Sequence, residues 1–245
     1  MDLKNKNTLE YLLELKKTFG NDFLFPVQDP QARILVPSDP YAFCIASSLD
    51  RGTKAEIIWT IPYWISLSTG HLDPAIFYKM PLSEIEEIFT KLPRKPRYLN
   101  AAPRTFQSIT SLIIEDFGGN PQSIWEGKKA KEVKQTFLSV YGVGNGIANM
   151  ILILIEDAYG VAFSDLDHSK MDIKPDVHTM RVLYRLGISS KIDERNAIEA
   201  ARLISPQYPG AIDGPLWYLG KSHCHTIDPR CGMCKMDQVC QKAGV

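Results

Sequence analysis

The sequence has no long apolar run, no excess of either charge and almost no alternating strand-like stretches, and each absence removes a class of protein. Its longest apolar segment, residues 147–155, is too short to cross a bilayer as a helix. The amino-terminal Met1-Asp2-Leu3-Lys4-Asn5-Lys6-Asn7 lacks the apolar core of a secretory signal, so a cytoplasmic protein is expected. With 28 basic and 28 acidic residues the net charge is zero, so a polyanion would meet no global attraction and must be held by local contacts. Cysteines are few. Four of the five fall within the last part of the chain, which is poor disulfide arithmetic for a reducing compartment and good metal arithmetic, while Cys44 sits in an apolar stretch and reads as core.

What is present is helical patterning over 245 residues, enough to bury one good core or two smaller ones. Leu9, Leu12, Leu13 and Lys16 follow Thr8, a plausible cap, and Gly20 with Asn21 ends that helix. Residues 21–40, with four prolines, read as a connecting loop. Asp39-Pro40 reads as cap and first position of a second helix, and a third runs from about Lys54 to Ser68 with a kink or restart at Pro62. Asp73-Pro74 starts a short helix, Ser83-x-x-Glu86 reads as a capping box, and Phe106, Ile109, Leu112, Ile113 and Phe117 define a helix stopped by Gly118-Gly119. The expected fold class is all-α.

The most informative stretch is 140–186. Gly142-Val143-Gly144-Asn145-Gly146 precedes the apolar helix that begins near Ile147. Glycines at alternate positions allow positive φ and leave amides uncovered at a helix N-terminus, where partial positive charge collects. That is a seat for an anion such as phosphate, with a plain tight corner as the alternative. A polar loop then leads to Pro175-Asp176-Val177-His178, and the end of the chain carries Cys224-x6-Cys231-x2-Cys234-x5-Cys240. Four thiolates at such spacings can wrap one zinc ion or one iron-sulfur cluster, and spacing alone does not choose.

These motifs, in this order, resemble the endonuclease III superfamily of DNA glycosylases over roughly residues 8–241. Val140-Tyr141-Gly142-Val143-Gly144 followed by Ala148 is similar to its helix-hairpin-helix. Asp176-x-His178-x-x-Arg181 with Arg185-Leu186-Gly187 is similar to the segment carrying its catalytic aspartate. The resemblance implies a two-lobed helical fold: a bundle of about six helices over 40–155, with the hairpin at about 131–158, and a cluster domain from 1–39 plus 156–245. It implies a [4Fe-4S] cluster on Cys224, Cys231, Cys234 and Cys240. It also implies duplex DNA with a damaged or mismatched base as partner, bound by a monomer, nucleoid-associated if the source is prokaryotic. Asp176 is then catalytic and His178 a packing residue. Gly142, Gly144, Gly146 and Arg230 are DNA-binding residues, Lys235 lies beside the cluster loop, and Arg51 in the loop 49–53 is either the side chain that fills the gap left by a flipped base or a surface arginine between two helices. Lys91, Arg94, Lys95, Arg97 and Arg104, with Tyr98 among them, form either a backbone-binding run or a solvated face.

Two departures from the family pattern matter. Bifunctional members carry a lysine where this chain has Gly146, which has no nucleophile, so a monofunctional enzyme is expected. A glycosylase with a relocated lyase lysine, or a DNA-binding protein without catalysis, is the alternative. Residues 160–174 form an acidic insertion with Asp165, Asp167, His168 and Asp172, read as a lip over the base pocket, a solvated loop or, superficially, a metal site.

Overall fold

The computed structural model describes residues 3–18, 25–27 and 29–245, and among them every regular element is a helix and none a strand. The all-α expectation holds. No helix among the described residues is long and apolar enough to cross a membrane. The chain divides into two compact units, residues 21–166 and residues 1–20 with 167–245.

After α1 (Leu3–Lys17), the larger unit is built from α2 (Pro30–Ser38), α3 (Pro40–Leu49), α4 (Ala55–Ile58), α5 (Ile61–Thr69), α6 (Pro74–Tyr78), α7 (Leu82–Lys91), α8 (Ala102–Phe117), α9 (Ala130–Ser139) and α10 (Asn145–Tyr159). Three of these start with the same device. Asp29, Asp39 and Asp73 each accept backbone amides two residues on, at 2.8 Å, in front of a proline whose missing N–H costs nothing at the first helical position. Residues Tyr41–Leu49 are all buried, so α3 is the central rod, with α8, α2 and α5 packed around it.

Several boundaries differ from the sequence reading, each for a local reason. Residues 30–38 are α2 rather than loop, because Asp29 and Pro30 make a strong start and Pro37 lies in the last turn, where it breaks little. The restart expected at Pro62 falls at Trp59-Thr60, with Pro62 in the first turn of α5. Ser83 lies inside α7, whose cap is Pro81, so the capping box does not form. Thr8 is buried inside α1 instead of capping it; Gly20 and Asn21, the expected stop, lie outside the described residues. The larger unit also reaches beyond the expected 40–155. Phe25 packs on Phe43 and Trp59 with ring centroids 6.0 and 5.2 Å apart, and Tyr159 packs on Phe43 and Trp125 at 5.3 and 5.1 Å. Aromatic burial holds both ends of the segment in that unit.

The second unit joins α1 to α11 (Val177–Arg185), α12 (Glu194–Ile204) and α13 (Asp213–Ser222) around Leu12, Leu15, Val182, Leu183, Ala201 and Leu216. Helices α11 and α13 approach closely at Gly220, where an added Cβ would lie 2.9 Å from Cα of His178 and 3.0 Å from its carbonyl oxygen. Backbone cannot yield as a flexible side-chain tip does. Gly220→Ala is therefore expected to lose about 1–3 kcal/mol in urea unfolding, an overpacking cost, and unchanged stability would contradict this contact.

Candidate functional site

Asp176 is the N-cap of α11. Its Oδ1 accepts the amides of His178 and Thr179, both at 2.8 Å, and the Thr179 hydroxyl accepts the Asp176 amide at 2.8 Å, closing a capping box in which threonine does the work usually given to glutamate. Both side-chain bonds use one oxygen, so the carboxylate is fixed through Oδ1 while Oδ2 takes no part in the cap. His178 is a packing residue: its Nδ1 lies 3.1 Å from Nη2 of Arg181, and its ring stands edge-on to Trp217.

The same helix grips the cysteine loop through two buried arginines. Arg181 donates to the carbonyls of Cys224 at 2.7 Å, Gly220 at 2.8 Å and Val177 at 2.9 Å. Arg185 donates to the carbonyls of His225 at 2.5 Å and Thr226 at 3.2 Å, and approaches Sγ of Cys224 at 3.5 Å. Sequence reasoning saw both arginines as parts of a motif but missed this role; their spacing of four, one helical turn, was the available signal.

Cys224, Cys231, Cys234 and Cys240 line one cavity together with Arg185 and His223. Further contacts to sulfur come from the Lys242 amide, which donates to Cys240 Sγ at 3.4 Å, while burial pushes the Cys234 and Cys240 thiols above their ordinary pKa. Among the described residues no group of three or more His, Cys, Asp or Glu side chains is gathered tightly enough for one metal ion. Ligands of a single zinc converge within about 2.3 Å of it, whereas a four-iron cluster takes one cysteine at each of four separated irons. Four thiols lining one cavity form a donor set of the kind that zinc and iron-sulfur clusters both use. Arg230 and Lys235 are exposed on this loop.

In the other unit α9 ends at Ser139 and the chain turns through Gly142 into α10. Of the three glycines only Gly142 needs positive φ, at 82°. Gly144 is extended, as an N-cap requires, and Gly146 lies in the first turn of the helix. No side chain caps α10. Arg51, the expected wedge, is bonded to the hairpin turn. Its Nη1 donates to the Gly142 carbonyl and its Nη2 to the Thr105 hydroxyl at 3.0 Å, and Thr105 donates to the Tyr141 carbonyl at 2.9 Å. Lys91, Arg94, Lys95, Arg97, Tyr98 and Arg104 are all exposed, with Lys91 paired to Glu87 at 2.7 Å.

The acidic insertion is consumed by structure. Asp165 caps α9, accepting the amides of Ala130 at 2.7 Å and Lys131 at 3.2 Å. Asp167 caps the 3-10 turn His168–Lys170, the Ser169 hydroxyl and Lys170 holding it at a pKa of about 2. Asp172 takes a two-point bond from Arg202, both distances 2.7 Å.

No protein-family model matches the chain, and no curated protein matches it in sequence. Solved structures do. A trapped endonuclease III–DNA covalent intermediate in an estranged-adenine complex superposes with a TM-score of 0.65 at 17% identity, over 99% of this chain and 97% of that one. A non-covalent endonuclease III–DNA complex gives 0.65 at 18%, over 99% and 97%, and a thermostable thymine-DNA glycosylase gives 0.62 at 20%, over 98% and 96%. The chain has the all-α endonuclease III fold along its whole length.

The Asp165 cap makes a pH-dependent prediction. Burial raises its pKa, but the Ala130 and Lys131 amides and nearby Lys129 outweigh this and set it below the ordinary 3.8. A depressed folded pKa adds stability above the unfolded value and loses it as pH falls through the folded one. Asp165→Asn should therefore lower the melting temperature by a few degrees at neutral pH, with the difference closing as the pH falls below the Asp165 pKa. A difference of equal size at both ends would contradict a charge-based cap.

Proposed function

We propose that the protein is a monofunctional DNA glycosylase of base excision repair, acting as a monomer on duplex DNA with a damaged or mismatched base. The observation that carries the reading is Asp176, a carboxylate fixed by one oxygen at the head of α11, in a fold shared with endonuclease III and with a thymine-DNA glycosylase. Uracil or thymine opposite guanine and alkylated purines are the substrate classes proposed. The target nucleotide is extruded from the stack, since its glycosidic bond is unreachable within it.

As the bond from the sugar carbon to the base nitrogen lengthens, positive charge builds on the sugar. The Asp176 carboxylate stabilises that charge and orients a water whose oxygen bonds to the carbon. The electron pair of the broken bond leaves with the base, the water's proton passes to the carboxylate, and an abasic site in an intact strand results. Strand cleavage by a lysine Schiff base has no nucleophile at Gly146, and α10 contains no lysine at any position.

The backbone amides at the start of α10 suit the phosphates of one strand, with the helix dipole adding to the attraction. Arg230 and Lys235 on the cysteine loop supply further phosphate contacts. Cys224, Cys231, Cys234 and Cys240 would hold a [4Fe-4S] cluster. When bound it supplies cross-links that pin a loop too short to have a core of its own.

Asp176→Asn is the direct test, because asparagine caps a helix as well as aspartate does and leaves the fold in place. Base release in single turnover should fall by about 10²-fold or more with duplex binding unchanged; undiminished release would move the catalytic role elsewhere. Protein purified without oxygen should be brown and contain iron and sulfide in equal amounts. A colourless zinc protein would overturn the cluster assignment.

A further inference from the structure

Arg51 occupies an unexpected place. Its loop follows the buried α3, and its guanidinium crosses to the hairpin turn, where it serves the Gly142 carbonyl and the Thr105 hydroxyl together. Thr105 stands in the first turn of α8, fully buried, and passes the connection on to the Tyr141 carbonyl, while the Tyr141 amide donates to the Ser108 hydroxyl at 3.0 Å. Consecutive peptides of the turn are thus held from α8 and from the loop after α3, and none of these bonds is made by α9 or α10. Gly142 is required for its positive φ, and a Cβ there would fall on the guanidinium, which could shift aside only by giving up its bond to the turn.

We propose that Arg51 is a positioning residue that sets the hairpin in its phosphate-gripping form, and does not enter the base stack. The inference rests on the reading that the hairpin holds DNA. Its physical basis is preorganisation: amides that already face outward lose little freedom when they meet a phosphate, whereas a turn free to pivot must be ordered at the moment of binding. A guanidinium can bridge two acceptors in fixed geometry and an ammonium cannot, so arginine and lysine are not interchangeable here. Inserting Arg51 into DNA would break its bonds to Gly142 and Thr105 and release the turn that the adjacent strand needs.

Thr105→Val separates this role from a wedge, because it removes an acceptor of Arg51 and the link to Tyr141 without changing charge, volume or the arginine itself. Affinity for an undamaged duplex should fall several-fold in Thr105→Val and in Arg51→Lys, while the dependence of log affinity on log salt, which counts phosphates neutralised by charged side chains, stays that of the wild type in both. In the DNA-free proteins the Val143 and Ala148 amides, bonded within the turn and the first turn of α10, should exchange faster with solvent. A role confined to folding would lower the melting temperature and leave the affinity of the folded protein and its Val143 and Ala148 exchange rates unmoved. If Thr105→Val binds undamaged duplex like wild type while Arg51→Ala loses only base release, Arg51 is a wedge and the proposal fails. Wild-type protein that binds no duplex would instead overturn the glycosylase reading, and the exchange rates would still decide whether Arg51 holds the turn.

Discussion

Two positive charges buried one turn apart on a single helix govern the unit that carries Asp176. A guanidinium taken out of water must place its donors, and Arg181 and Arg185 place theirs on the carbonyls of residues 220 and 224–226. Helix and loop therefore cannot move separately without leaving a buried charge unbonded, a loss far larger than that of an ordinary surface contact. Asp176 begins the helix so anchored, and the four cysteines occupy the loop. The aspartate inherits its rigidity from contacts made along α11, and the proposed cluster, by bracing the loop, braces the carboxylate.

The hairpin solves the same problem by other means. It has no buried charge pair and no cap; its order is imposed from α8 and from the loop that holds Arg51, while the helix leading into it is capped by Asp165 from the acidic insertion. The hairpin turn is fixed by side chains distant in sequence, whereas the Asp176 carboxylate is fixed by amides two and three residues on. At Asp176 the cap uses Oδ1 alone, and Oδ2 is the oxygen that the proposed hydrolysis would use.

Local patterns were legible in the sequence to the extent that one residue and its near neighbours decide them. The Asp-Pro starts at 39 and 73 and the stop at Gly118 are all of this kind, and the structure has each of them. Where a pattern had rivals, it misled. Ser83-x-x-Glu86 has the capping-box spacing, but Pro81 already starts the helix two residues earlier, and the proline-rich segment read as loop contains α2 because Asp29 outweighs a proline placed where it does no harm. The fold and the motif order came from resemblance, since helical periodicity alone is common to every all-α protein. What could not be read were contacts between residues far apart in the chain. Nothing in residues 49–53 indicates that Arg51 meets residue 142, nothing in the acidic run 165–172 shows that each carboxylate already has a partner, and the place of Thr105 beneath the hairpin has no sequence signal at all.

The central claim is that this chain breaks a glycosidic bond with water and leaves the strand whole. It is tested most directly with end-labelled duplexes, each carrying one base opposite a defined partner, incubated with the wild-type protein and divided into alkali-treated and untreated halves. The account predicts that at least one duplex, among those with uracil or thymine opposite guanine or an alkylated purine, is cut only after alkali. Cutting in the untreated half would show a lysine forming a Schiff base and contradict the hydrolytic mechanism, and no cutting of any duplex in either half would contradict the assignment of base release to this fold and its aspartate.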